Sequence, residues 1–100
     1  MAKQVVWSFR AQDDKKNILK YWRQRNKSNS YSKKLNQLFK DVIQLIVEHP
    51  FIGKRVDGKA LRVKVVRDYL VIYEETETQI WILSIWDARQ DPNKLETIVK

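Results

Sequence analysis

Hydrophobic and polar positions along this chain follow helical spacing first and strand spacing later. From about Phe9 to about Asn26, Ala11, Ile18, Trp22 and Arg25 share one stripe, with Leu19 and Tyr21 beside it, the spacing of a helix that buries one side. Leu35, Leu38, Phe39, Val42, Leu45 and Ile46 repeat at three- and four-residue steps, with Lys33, Lys34, Lys40 and Glu48 elsewhere around the helix. That is the sharpest amphipathic pattern in the chain. From Leu61 to Arg89, LRVKVVRDYLVIYEETETQIWILSIWDAR holds three apolar, β-branched runs, at about 61–67, 69–75 and 79–86. Arg67-Asp68 and Glu75–Thr78 separate them, so the runs read as consecutive antiparallel strands. Gln4–Trp7 is a further short strand.

Local chemistry marks the boundaries. Ser8 is placed to cap the first helix, because its hydroxyl can accept a bond from an early helix amide. Asp13 and Asp14 fall early in that helix and Lys20, Arg23 and Arg25 later, which suits the helix dipole. Lys27–Ser30 is a polar turn, so the two helices should form an antiparallel hairpin. Pro50 pushes His49 out of helical geometry and ends the second helix, leaving His49 a structural, capping residue. Phe51–Ala60 holds both glycines and reads as an irregular crossing segment. Asp91-Pro92 resembles the N-cap and first position of a short last helix carrying Leu95, Ile98 and Val99. The expectation is a single α+β two-layer domain over residues 1–100: an N-terminal strand, a helix hairpin, a three-stranded antiparallel meander and a short C-terminal helix.

Composition narrows the chemistry. A chain of 100 residues without cysteine and with one histidine, His49, has no disulfide framework and no thiolate metal site or nucleophile. It has almost nothing for histidine metal sites or Ser-His-Asp triads, so neither metal nor cofactor is expected. No apolar run approaches a membrane span and residues 1–10 lack a signal-peptide core, which leaves a cytoplasmic protein as the expectation.

Charge adds a second theme. The net charge is +8, and residues 1–50 hold eleven Lys/Arg against four Asp/Glu. Between Lys15 and Lys40 there are nine basic residues and no acid, so Lys16, Lys20, Arg23, Lys33 and Lys34 of the helix hairpin form a candidate surface for a polyanion or an acidic protein. A solvated helix face is the alternative.

Within the strands, Arg62 and Lys64 alternate with Leu61, Val63 and Val65, which predicts a basic face on one side of the sheet. Leu70 and Ile72 are expected on that same face, making it mixed apolar and basic. Tyr69, Val71 and Tyr73 are expected to face the core. Trp81 and Trp86 have odd spacing and should point to opposite sides of a regular strand. For Trp86, packing under the terminal helix and stacking on a base are both open.

The order of elements carries a set of landmarks. These are Val6-Trp7-Ser8 followed by Ala11, Ile18 and Tyr21; His49-Pro50-Phe51-Ile52-Gly53; Leu61-Arg62-Val63; Asp68-Tyr69-Leu70-Val71-Ile72-Tyr73; and Ile82 through Trp86-Asp87-Ala88-Arg89-Gln90-Asp91-Pro92. Over nearly the whole chain, this order and spacing resemble the RelE/ParE superfamily of toxins from bacterial type II toxin–antitoxin modules. The resemblance implies growth inhibition, neutralised by a cognate antitoxin that supplies an acidic amphipathic segment. It leaves two targets open. ParE-like members poison DNA gyrase; RelE-like members cut mRNA on the ribosome, with basic residues orienting the phosphodiester and stabilising its charge.

Residue by residue, the likeness to the nuclease branch is mixed. Arg62 and Lys64 fall where that branch has a basic pair, and Arg89 falls near a basic residue after the last strand. Leu70 stands where the nucleases carry arginine, Trp86 where many relatives have histidine, and Asn93–Lys100 contains no tyrosine or histidine. Tyr69, Tyr73, Glu74 and Asp87 remain as substitutes. The resemblance therefore favours ParE-like inhibition of gyrase without enzymatic activity. The alternatives are a ribosome-dependent endoribonuclease using Arg62, Lys64 and Arg89, and a degenerate, non-toxic relative. In each case Arg62, Lys64, Leu70, Ile72, Trp86 and Arg89 are the expected contact residues.

Overall fold

The computed structural model describes residues 3–56 and 58–88. Its elements are β1 (Gln4–Trp7), α1 (Phe9–Asn26), α2 (Ser30–Glu48), β2 (Lys54–Arg55), β3 (Leu61–Val66), β4 (Tyr69–Glu75) and β5 (Gln79–Asp87). The expected terminal helix and Arg89 lie outside the described residues. The helix boundaries follow the local chemistry. The Ser8 hydroxyl accepts the Ala11 N–H at 3.0 Å, and α2 stops at His49, whose φ and ψ of −136° and 76° are not helical. Lys27, after α1, closes that helix in the left-handed region at φ 50°.

The strands form one mixed sheet in the order β1-β5-β4-β3-β2. The three expected strands are an antiparallel meander, and β1 pairs parallel to β5. The short β2, inside the segment read as irregular, pairs with β3; two charged residues, Lys54 and Arg55, give no apolar alternation to reveal it. Ala11, Leu35, Phe39, Ile43 and Ile46 from the helices meet Val66, Tyr69, Val71, Tyr73, Ile80, Ile82 and Ile85 from one face of the sheet. The layer of two helices over one sheet is the α+β architecture expected. Phe39 of α2 meets Tyr69 of β4 edge-on, centroids 5.9 Å apart, an arrangement the ring quadrupoles favour.

Register corrects the assignment of faces. Residues directly opposed in an antiparallel pair share a face. Val66 opposes Tyr69, Lys64 opposes Val71 and Arg62 opposes Tyr73. Arg62 and Lys64 therefore lie on the helix-facing side with the tyrosines. Leu70 and Ile72 oppose Val65 and Val63 on the far side. The expected mixed basic and apolar face does not exist. The cause is the two-residue turn Arg67-Asp68, which pairs even positions of β3 with odd positions of β4.

A bulge corrects the tryptophans. Ile72 opposes Ser84 but Tyr73 opposes Ile82, so Leu83 is an extra residue on β5. One extra residue reverses the alternation beyond it. Trp81 opposes Glu74 and Trp86 opposes Leu70, which puts both tryptophans on the far face despite their odd spacing.

Candidate functional site: a cleft at the open edge of β5 and a basic helix hairpin

β1 has four residues and β5 nine, and β1 pairs only with Gln79–Ile82. Among the described residues, the later half of β5 thus has no strand beyond it on that side, and strand groups left there need other partners. The start of α1 supplies them. The Ser8 N–H donates to the Ile82 carbonyl at 3.0 Å and the Ser8 hydroxyl to the Leu83 carbonyl at 2.9 Å. Asp14 then accepts the Ile85 N–H at 3.0 Å and the Ser84 hydroxyl at 2.8 Å through one carboxylate oxygen, Oδ2.

Beside this edge, α1 and β5 enclose a cleft of about 480 Å³. Ile18, Tyr21, Tyr69, Ile85 and Trp86 give it an apolar, aromatic lining; Arg10, Asp14, Asn17 and Asp87 make it polar. The aromatic groups are held from behind. Trp22 Nε1 donates to the Tyr69 hydroxyl at 2.7 Å, and Tyr21 packs edge-on to Trp22 at 5.1 Å. Tyr69 is buried while Tyr21 is exposed. An apolar cleft with charges of both signs beside a strand edge suits an amphipathic peptide segment.

The expected contact residues separate into two groups. Leu70, Ile72 and Trp86 are brought together on the far face, Leu70 directly opposite Trp86. Ile72 and Trp86 are buried, Leu70 is half-buried and Val65 on that face is exposed. Arg62 has a structural task at the other end of the meander. Its Nη1 donates to the Gly53 carbonyl at 2.9 Å, and its guanidinium lies 4.9 Å from the Phe51 ring centre. Lys64 is half-buried next to Val71. Tyr73, opposite Arg62, donates from its hydroxyl to the Pro50 carbonyl at 2.7 Å and accepts the Gly53 N–H at 2.9 Å. Burial raises the pKa of this hydroxyl, and the Gly53 amide and the Arg62 charge oppose that shift.

The helix hairpin turns its cations outward. Lys16, Lys20, Arg23, Lys33 and Lys34 are all exposed. Lys16 and Arg23 of α1 and Lys33 of α2 flank a groove of about 320 Å³ that also includes Leu19, Asn29, Ser32 and Asn36. Lys20 and Lys34 lie outside its lining. Nearby, Lys15 sits 5.0 Å from the Trp7 ring centre, and burial, followed by the charge of Lys40, lowers its pKa.

Sequence reasoning missed Arg10, Asp14 and Asn17. They sit at the start, one turn on and two turns on along α1, an arrangement that becomes a site only once β5 outruns β1. Among the described residues there is no group of three or more His, Cys, Asp or Glu that could hold a metal ion, and no helix is long and apolar enough to cross a membrane.

A search of curated proteins finds no match to this sequence. Among solved structures, the chain is similar to one described as the chromosomal ParDE TA system from P. aeruginosa, with a TM-score of 0.75 at 14% identity over 88% of this chain and 98% of that one. At that identity the likeness speaks for the fold. The sequence itself matches the family model described as the ParE toxin of the type II toxin-antitoxin system, parDE, across residues 5–92, so the chain belongs to the ParE toxin family.

Proposed function

We propose that this type II toxin inhibits growth by acting on DNA gyrase in the cytoplasm, and that a cognate antitoxin neutralises it. The antitoxin would lay an amphipathic segment along the cleft beside β5, where the exposed Tyr21 and half-buried Ile18 offer apolar contacts over the buried Ile85 and Trp86, and the exposed Arg10 offers a cation. The observation that carries the gyrase reading over mRNA cleavage is the placement of Arg62. Its guanidinium is spent on the Gly53 carbonyl and the Phe51 ring. A phosphodiester-cleaving site needs its cations aimed at the reacting phosphate, without prior commitments. Lys64 lies next to the core-facing Val71, and Leu70, where the nuclease branch carries arginine, points to the opposite side of the sheet.

Expression of the chain without its antitoxin tests the reading. Growth arrest with accumulated gyrase–DNA cleavage complexes and an induced DNA-damage response is the expected result. Message cut in the ribosomal A site would replace it with the endoribonuclease reading, and unimpaired growth with that of a non-toxic relative. Tyr21→Ser with Arg10→Glu, both exposed on the cleft, should weaken antitoxin binding at least tenfold; unchanged affinity would move the antitoxin off this cleft.

A further inference from the structure

The groove between α1 and α2 differs in kind from the cleft beside β5. Its cations are Lys16, Arg23 and Lys33, its neutral polar groups Asn29, Ser32 and Asn36, and its one aliphatic side chain Leu19. Among the described residues no carboxylate lines it. Lys16 and Arg23, seven residues apart on α1, are separated by roughly 10 Å along the helix axis, and Lys33 closes the groove from α2. Among the described residues these three cations form no ion pair. Asn29 stands at the cap position of α2, yet its side chain makes no capping hydrogen bond.

We infer that this hairpin groove is a docking surface for the sugar–phosphate backbone of duplex DNA. Lysine, arginine and asparagine are groups that bind phosphate oxygens and set a protein's position on a duplex; Ser32 is buried at the groove floor, its hydroxyl donated to the Asn29 carbonyl at 3.0 Å. Charge complementarity is strong: nine basic residues and no acid lie between Lys15 and Lys40. An acidic amphipathic peptide also needs an apolar seat, and Leu19 alone does not make one; the cleft beside β5 does. A single strand needs aromatic platforms for its bases, and the groove has none. The inference does not rest on gyrase being the target, because the contact is with DNA itself.

The test is fluorescence anisotropy of the full chain with a labelled 20-base-pair DNA duplex of arbitrary sequence, free of any other protein. Binding should be sequence-independent and weaken with salt, with a log–log slope of about −3 for roughly three to four phosphate contacts. Lys16→Glu with Arg23→Glu and Lys33→Glu should raise Kd at least thirtyfold. Because these side chains are exposed, the thermal midpoint should stay close to that of the parent, and the milder triple exchange to Gln provides a second variant should the reversal disturb folding. Reversing Arg55 and Lys59, away from the hairpin, should leave binding close to the parent value. Binding untouched by the hairpin exchanges would overturn the proposal. So would a preference for single-stranded DNA, for duplex RNA, or for an acidic peptide competing at the groove. With these arms, loss of DNA binding in the hairpin variants is read independently of whether gyrase is inhibited in cells.

Discussion

Tyr73 and Gly53 are fitted to one another twice over. The Tyr73 hydroxyl accepts the Gly53 N–H at 2.9 Å, and a Cβ built on Gly53 would lie 2.6 Å from that hydroxyl and 2.7 Å from the ring carbon Cε1. Gly53 is needed here for close approach. With the Pro50 carbonyl bonded to the same hydroxyl and the Gly53 carbonyl to Arg62, this clasp ties the segment after α2 to β3 and β4.

Tyr73→Phe should destabilise the fold by about 1–3 kcal/mol, since it leaves a buried N–H without its partner. Urea unfolding at pH 7 measures it. The pH dependence has a definite sign. Burial is the main reason the folded hydroxyl ionises above the ordinary value of 10.0. Above pH 10 the unfolded chain therefore loses this proton first, and stability falls as pH rises toward and through the folded pKa. The margin of the parent over Tyr73→Phe should shrink above pH 10. A margin that grows there would contradict the geometry.

Gly53→Ala should cost about 1–3 kcal/mol through overpacking, because the fully buried Tyr73 ring has nowhere to swing. Residues in contact do not contribute independently. In a Tyr73→Phe background the clash with the hydroxyl is gone while the ring-carbon contact remains. The double variant should therefore lose less than the two single losses together; strict additivity would show that the two residues do not touch.

Much of the fold was legible in local chemistry. Ser8 and His49-Pro50 marked helix ends because capping and proline geometry act within a few residues. The stripe from Leu35 to Ile46 marked α2, since its period matches its buried side. What escaped depended on pairing. The parallel β1–β5 contact joins residues more than seventy positions apart, and no local pattern encodes it. The Leu83 bulge, which sends Trp81 and Trp86 to one face, has no signature in ILSIW. The face of Arg62 and Lys64 was within reach. A two-residue turn at Arg67-Asp68 opposes Val66 to Tyr69, and counting back from there pairs Arg62 with Tyr73. Alternation of Leu61, Val63 and Val65 with two cations pointed the other way because it treats each strand alone. The basic hairpin was readable from charge; the cleft beside β5 was not, because it arises from unequal strand lengths.

Lys27 closes α1 at φ 50°, ψ 34°, a conformation that costs a side-chain-bearing residue and suits glycine. Lys27→Gly should stabilise the chain by about 0.5–1 kcal/mol, partly offset by loss of a cation near the negative end of the helix dipole. Thermal unfolding should show a midpoint a few degrees higher. A lower midpoint would mean that the charge outweighs the backbone.

Asp14 connects the start of α1 to the part of β5 that β1 leaves uncovered. One carboxylate oxygen, Oδ2, accepts both the Ile85 N–H and the Ser84 hydroxyl, and bonds to an ionised acceptor are about twice as strong as neutral ones. Asp14→Asn retains one acceptor of the same shape but without the charge, so it should cost about 1 kcal/mol. Asp14→Ala removes both bonds and should cost about 2–3 kcal/mol. Amide hydrogen exchange tells this edge role from a general loss of stability. In Asp14→Ala the Ile85 amide should exchange faster than the amides of Val71 and Ile72 on the neighbouring strand, whereas in Asp14→Asn it should stay protected. Uniform acceleration across β4 and β5 would instead mean that Asp14 supports the whole sheet and does not specifically seal its open edge.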